Sequence, residues 1–423
     1  MSNSPRPNLS INISANQHLN NSPTSPKPNS HRTHNNLNNF SISDNFSPRK
    51  QQQVQHLFIA LVTCKAYPEL NHDDHIMKNI INASGHRYEI VIWDSPDVNW
   101  KSYDCIVIRS LWDYVEKVDE LKGWISKMKE MKIRVLNDLS AIMWNLDKNY
   151  LGELQSCGIP IVPSYFIRKQ IEKAILTVND LAAIIQEQKK NGKFESGAVD
   201  FVYKPTIGAG GYGTNKFNLD QLFSSSELRH KHLNILNTLL KKSDVILQPY
   251  IASIKEVGET SFLFFNGKFS HSIIKTPCIN DFRVQEDYGG LALENNNPKP
   301  DEIQLAQSVI DNIIVKHQCN ILYARIDMLR INGKLHLGES EIFEPTLYFM
   351  KNVGIAKRFV DSIQDIMSTP FVAPVIHNKQ KRLSSYSSSS IENSRSSNQQ
   401  QQQPICSPRV VAEKLFNGSA INC

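Results

Sequence analysis

A lysine closes the short β-type run Phe201-Val202-Tyr203-Lys204 and is followed by Pro205 and the stretch Gly208-Ala209-Gly210-Gly211-Tyr212-Gly213. These residue types suit phosphate. The ammonium is a compact mobile charge, and glycines let successive backbone N–H groups approach an anion without Cβ interference. Alone, the stretch fits a plain turn equally well, because glycine clusters punctuate chains everywhere. A carboxylate-rich segment far downstream shifts the reading: Asp327 in Ala324-Arg325-Ile326-Asp327, then Glu339 and Glu341 in Leu337-Gly338-Glu339-Ser340-Glu341. Alternate residues of a strand face one side, so Glu339 and Glu341 can serve a single site. Magnesium takes hard oxygen ligands and completes its octahedron with water and phosphate oxygens, so a few carboxylates are enough. A phosphate cradle together with such ligands implies a magnesium–ATP site.

The elements that must position these groups are legible as patterns. Strand and helix alternate from residue 56: strands over 57–62, 88–93, 103–108 and 133–136, helices over 75–83 and 118–131. Such alternation predicts parallel βαβ units, whose ligands gather beyond the strand C-termini. One of those ends carries Arg109, Ser110, Trp112, Asp113 and Tyr114, which could grip a substrate. The same residues fit a turn anchored by one tryptophan with a surface Arg–Asp pair. Further on, strands are expected over 162–167, 199–204 and 244–251, with helices over 148–156, near 180–188 and up to 242. Asn266-Gly267 and Asn332-Gly333 then mark two hairpins, 260–275 and 322–341, on either side of an amphipathic helix over 301–317. Antiparallel hairpins after a parallel front half place a domain change near residue 145.

Composition limits how much of the 423 residues folds. Residues 1–54 are rich in Asn, Ser and Pro, and residues 371–423 carry serine and glutamine runs. Segments so poor in apolar side chains cannot offset the entropy of ordering, so both are expected to be disordered. Ser47 and Ser384, each beside basic residues, are candidate phosphorylation sites within them. The net charge of +6 is mild, and no basic stripe interleaved with aromatics suggests nucleic acid. Seven cysteines without a C-x-x-C pair fit reduced thiols in the cytoplasm, and no apolar run is long enough to span a membrane.

The order of these motifs resembles the ATP-grasp superfamily, with the nearest patterns in prokaryotic glutathione synthetase, the D-alanine–D-alanine ligases and the O-ureido-serine cyclase branch of cycloserine biosynthesis. Asp147-Lys148 before Gly158-Ile159-Pro160-Ile161-Val162-Pro163 is similar to the opening of that family's ATP domain, and Lys204 with Gly208, Gly210, Gly211 and Gly213 is similar to its second lysine and lid loop. The resemblance implies that Leu247-Gln248-Pro249-Tyr250-Ile251 is the adenine hinge, with Gln248 and Tyr250 at the base and Glu259 at the ribose. A buried strand is the other reading of that segment. Asp281-Phe282-Arg283 running to Gly289-Gly290 resembles the glutathione synthetase pattern R-G-N-x-x-x-G-G, which implies catalytic roles for Arg283 and the preceding Lys275. Glu339-Ser340-Glu341-Ile342-Phe343-Glu344-Pro345-Thr346 is similar to the family's E-I-N-x-x-x-P-T, which implies Asp327, Glu339 and Glu341 as metal ligands, with a glutamate where most relatives have asparagine.

The resemblance therefore implies a doubly wound parallel-sheet N-terminal α/β domain over 55–145, followed over 146–370 by an ATP-grasp clamp of two α+β subdomains. It implies an ATP-dependent carboxylate–amine ligase, joining or cyclising through an acyl phosphate, with magnesium or alternatively manganese. Arg109, Ser110, Trp112, Asp113, His72-Asp73-Asp74 and the loop 276–290 would hold small amino-acid-like carboxylate and amine substrates. A nucleotide-binding regulator without turnover, and an ATP-grasp kinase acting on a hydroxyl, are the competing readings. The oligomeric state stays open, a homodimer included.

Overall fold

The computed structural model describes residues 56–169 and 175–369. The expected disordered tails, with Ser47 and Ser384, lie outside the described residues. Strands β1 (Phe58–Thr63), β2 (Arg87–Ile92), β3 (Cys105–Ser110) and β4 (Val135–Leu136) form a parallel sheet, with helices α1 (His75–Ala83) and α2 (Val118–Glu130) in the crossovers and strand order β2-β1-β3-β4. The central strands read as unbroken apolar runs because both their faces are covered. Met77 and Ile81 of α1 cover one face, and Leu121, Trp124, Ile125 and Met128 of α2 cover the other. These are the parallel βαβ units that the alternation predicts, in the doubly wound arrangement that the resemblance implies.

Helices α3 (Leu139–Asn145) and α4 (Tyr150–Ser156) lead into an antiparallel sheet. It is built from β5 (Tyr165–Ile167), β6 (Asp200–Pro205), β7 (Asn215–Asn218) and β8 (Val245–Pro249) in the order β5-β8-β6-β7, backed by α5 (Val178–Lys190), α6 (Leu219–Ser224) and α7 (Ser226–Leu240). A third sheet contains β9 (Glu259–Phe265), β10 (Lys268–Thr276), β11 (Leu291–Glu294), β12 (Tyr323–Ile331) and β13 (Lys334–Glu341) in the order β11-β10-β9-β12-β13. Helix α8 (Pro300–His317) packs on one of its faces. Both Asn-Gly hairpins form, and each pair has positive φ at both residues: 47° and 70° at Asn266-Gly267, 49° and 78° at Asn332-Gly333. That conformation suits the right-handed twist of the flanking strands.

Among the described residues, α3, β11 and helix α9 (Val353–Ser368) were not read from sequence. Ile355, Phe359, Val360 and Ile363 of α9 share one core with α1 and with Leu263, Phe265 and Ile273 of the third sheet. Helix α9 thus fastens the first sheet to the third.

Arg109 is deeper than expected of a substrate-gripping residue. It is 0% exposed, and its guanidinium bonds Asp74 Oδ1 at 2.9 and 3.1 Å and the Pro345 carbonyl at 3.0 Å, with the rings of Tyr323, Phe349 and Phe359 around it. Arg109→Met strands the Asp74 carboxylate and should destabilise the protein by about 3–5 kcal/mol. The double replacement with Asp74→Leu should cost less than the single, as read from urea unfolding.

His271 of β10 supplies a pH test. Burial pushes its pKa down to about 4, with Nε2 at 3.1 Å from the Leu347 carbonyl oxygen. Because the folded value lies below the ordinary 6.5, the neutral ring's contribution is complete above pH 6.5 and is lost as pH falls toward 4. His271→Phe should remove roughly 3 kcal/mol of acid sensitivity across that window, measured as the urea midpoint against pH.

Candidate functional site

Strand β13 delivers the acids. Its alternation sends Glu339 and Glu341 to one side, while the intervening Ser340 is pinned through its backbone by the Tyr150 hydroxyl at 2.8 Å and the Asn145 amide at 2.7 Å. Opposite Glu339 in the β12–β13 register stands Asp327. The lysines arrive from two other places. Lys148, just ahead of α4, donates to the Gly208 carbonyl at 2.6 Å and lies 2.9 Å from Glu339 Oε1. Lys204, at the end of β6, lies 3.5 Å from Glu339 Oε2. Burial opposes the Glu339 charge, but Lys148 and Lys204 prevail and hold its carboxyl below the usual range.

Asp327 faces a second set of cations. Arg325 reaches it with Nε and Nη2 at 3.0 Å each, Lys275 Nζ lies 3.1 Å away, and the Ser261 hydroxyl donates at 2.6 Å. Burial again works against the charge, and Arg325 and Lys275 overcome it to keep Asp327 ionised. Lys275 also pairs with Glu259, and Arg325 with Glu341. Burial nonetheless pushes Glu341 up to about 8, with Glu339 and Asp327 adding to the rise against the pull of Arg325.

The glycine loop and the Arg283 loop meet over these groups. Gly210, Gly211 and Gly213 have φ of 54°, 75° and 66°, and a Cβ on Gly211 would lie 3.1 Å from the Tyr288 ring. Arg283 stacks on Tyr288 with its guanidinium carbon 3.4 Å from the ring centre, while Asp281 holds Nη2 at 2.7 Å. At Gly290 the chain folds back so closely that a Cβ would stand 2.1 Å from the Val284 carbonyl, so no other residue fits.

Two cavities adjoin at Lys148, Gly208, Gly210, Gln285, Glu339 and Glu341. One of about 130 Å³ also touches Lys204, Glu259, Arg283 and Asp327. The other, of about 450 Å³, is walled by Tyr67, Trp112, Tyr114, Arg325, Glu344 and Tyr348, among others.

The structure separates the residues that the sequence reading grouped. Of the proposed substrate residues, Trp112 lines the larger cavity, with its indole N–H donating to the Glu344 carbonyl at 3.0 Å. Arg109 and Ser110 do not, because both are buried in hydrogen bonds around Asp74. Asp113 points the other way, to the Trp93 indole and Lys117. His72 and Asp73 reach the cavity lining, whereas Asp74 is the partner of Arg109. Gln248 and Tyr250 stand outside both linings: the Gln248 amide donates to Ser164 at 2.8 Å, and the Tyr250 ring lies under Lys216 at 3.8 Å. Glu259 reaches the smaller cavity but is engaged with Lys275. Tyr114, the end of the expected substrate segment, lines the larger cavity, whereas sequence reasoning overlooked Arg325 and gave Glu344 no role in a substrate pocket. Arg325 was detectable, because it lies two residues before Asp327 on the same strand and must share its face.

Among the described residues, no three His, Cys, Asp or Glu side chains converge as a ready metal cage. Glu339 and Glu341 present hard oxygens on one strand face, a partial set that suits magnesium when phosphate oxygens complete the octahedron. Asp327 fits that role less well, since both its oxygens accept hydrogen bonds from Arg325, with Ser261 and Lys275 adding to them.

Residues 59–137 match the family described as D-cycloserine synthetase DcsG, N-terminal domain. Over 318 residues the chain is 25% identical to the cycloserine biosynthesis protein DcsG of Streptomyces lavendulae, covering 73% of this chain and 98% of that one. The crystal structure of D-cycloserine synthetase DcsG matches with a TM-score of 0.62 at 24% identity, covering 73% of this chain and 99% of the other. The chain has the ATP-grasp fold. D-alanyl-alanine synthetase A from Vibrio cholerae O1 biovar eltor str. N16961 is similar at a TM-score of 0.51 and 13% identity, over 74% of this chain and 99% of that one. No helix among the described residues is long and apolar enough to cross a membrane.

Within this cluster, Glu339→Gln keeps the side-chain shape but removes the charge between Lys148 and Lys204. Turnover should fall roughly 100-fold, in the range seen when a charge-stabilising group is removed. Nucleotide affinity, measured by calorimetry, should weaken only when magnesium is present.

Proposed function

We propose that the chain is an ATP- and magnesium-dependent ligase that joins a carboxylate to an amine through an acyl phosphate, on a small amino-acid-like substrate. The observation carrying this reading is the junction of the two cavities at Lys148, the glycine loop and Glu339. One side offers cations and glycine N–H groups for phosphates, and the other offers aromatic, acidic and cationic walls for an organic acid. The relationship to a cycloserine biosynthesis protein supports carbon–nitrogen bond formation.

The substrate carboxylate would attack the γ-phosphoryl group, forming a C–O–P linkage as the bond to ADP breaks. The amine nitrogen would then attack the acyl carbon, and phosphate would leave with the bonding electrons. Lys148, Lys204 and Arg283 would spread the charge of the transferring phosphoryl group, and Arg325 and Lys275 stand ready at the carboxylate side. Glu339 and Glu341 would hold magnesium, which neutralises phosphate oxygens when bound. At about 130 Å³ the smaller cavity is below the usual size of a ligand pocket, so admitting ATP requires the glycine loop to lift from Tyr288. Reclosure would exclude the water that otherwise hydrolyses an acyl phosphate.

The test is ADP release from ATP and magnesium with a panel of D- and L-amino acids, with and without added amines. ADP should appear only when a carboxylate and an amine are both supplied, in one molecule or two. ADP release with hydroxyl compounds lacking a carboxyl group would favour a kinase. ATP binding with no ADP from any acid would sink the ligase reading.

A further inference from the structure

Glu344 is a buried acid of the substrate cavity to which no phosphate or metal role falls. It is 8% exposed and lines the larger cavity, and among the described residues it forms no salt bridge, unlike Glu339, Glu341 and Asp327. Its support is rigid. The Trp112 indole holds the Glu344 carbonyl and Arg109 holds the next carbonyl, that of Pro345, so the turn is pinned to the first sheet. Tyr114 lines the same cavity close to the carboxyl, and the Tyr114 ring is braced edge-on by Phe343 at 5.2 Å. The nearby cation, Lys148, is already committed to Glu339 and the Gly208 carbonyl.

We propose that Glu344 is the general base that accepts the proton of the attacking amine, with Tyr114 as its positioning residue. The assignment rests on the ligase reading. An ammonium has no lone pair to donate, so one proton must leave before attack. The Glu344 carboxylate takes it. The freed nitrogen forms the C–N bond as the C–O bond to phosphate breaks, the second nitrogen proton departs with the phosphate, and Glu344 returns its proton to solvent. Burial pushes Glu344 up to about 7, against the pull of Lys148 and Tyr114 and with a contribution from Glu339, so its affinity for a proton is matched to transfer near neutrality.

The experiment compares wild type, Glu344→Gln and Tyr114→Phe, using the amino acid that gives the fastest ADP release. The nucleophile is either its ordinary amine or hydroxylamine, whose nitrogen is already unprotonated at neutral pH. Glu344→Gln should slow amide formation roughly 100-fold or more and flatten the acid limb of the rate profile, while hydroxylamine restores product as the hydroxamate. Tyr114→Phe should move that limb to higher pH, since the hydroxyl favours the charged carboxylate. An equal ATP-induced rise in melting temperature for all three proteins checks that they fold. If wild type turns over but Glu344→Gln keeps its acid limb and its amine-to-hydroxylamine ratio, the assignment is overturned. It is also overturned if raised magnesium, rather than hydroxylamine, restores the variant, since Glu344 would then be a metal ligand. A wild type that releases no ADP with any acid would instead overturn the ligase reading itself.

Discussion

Buried acids in the middle of β12 and at the end of β13 are tolerable only because cations meet them. An isolated buried carboxylate costs so much that it takes up a proton instead. Here Asp327 sits between Arg325 and Lys275, and Glu339 between Lys148 and Lys204. The pairing cations come from β10, from β12 itself, from the start of α4 and from the end of β6, so satisfying these charges requires the second and third sheets to be in place together. The same requirement gathers the groups that a phosphoryl-transfer site needs.

The first sheet takes part through hydrogen bonds rather than charge. Asn137, just after β4, donates to the carbonyls of Tyr323 and Ile342 at 2.8 and 2.7 Å, and the Tyr323 hydroxyl shares its one proton between the carbonyls of Ile108 and Phe343 at 2.6 and 2.8 Å. The Arg109–Asp74 pair extends the seam to Pro345. Backbone groups that leave a strand edge inside a protein must find partners, and these side chains supply them. The consequence is functional. The turn carrying Glu344 is fixed from both sides, and the larger cavity is walled by the first sheet's connections as well as by the third sheet.

Much of the fold could be read because its signals are local. Apolar runs marked β1 and β3, Asn-Gly pairs marked both hairpins, and glycines requiring positive φ marked the loop over Lys148 and Glu339. Helix α9 was missed although its amphipathic spacing is regular, because nothing local shows that its apolar face meets both α1 and β9. Strand β11 is only four residues long and acquires its identity by pairing with β10.

The sequence by itself determined which chemistry was available: two lysines in phosphate-binding contexts, a glycine loop, and Glu339 and Glu341 placed by strand alternation on one face. It could not decide which charges face a ligand and which face each other. Arg109, Ser110 and Asp113 look from sequence like a substrate grip, yet they turn into hydrogen bonds with Asp74, Trp93 and Lys117. Arg325 and Glu344 look like strand and turn residues, yet they line the cavity. The reason is that a polar side chain's role is set by its nearest compensating partner. For these residues that partner lies mostly on a different element, brought close only when three sheets close around one cleft.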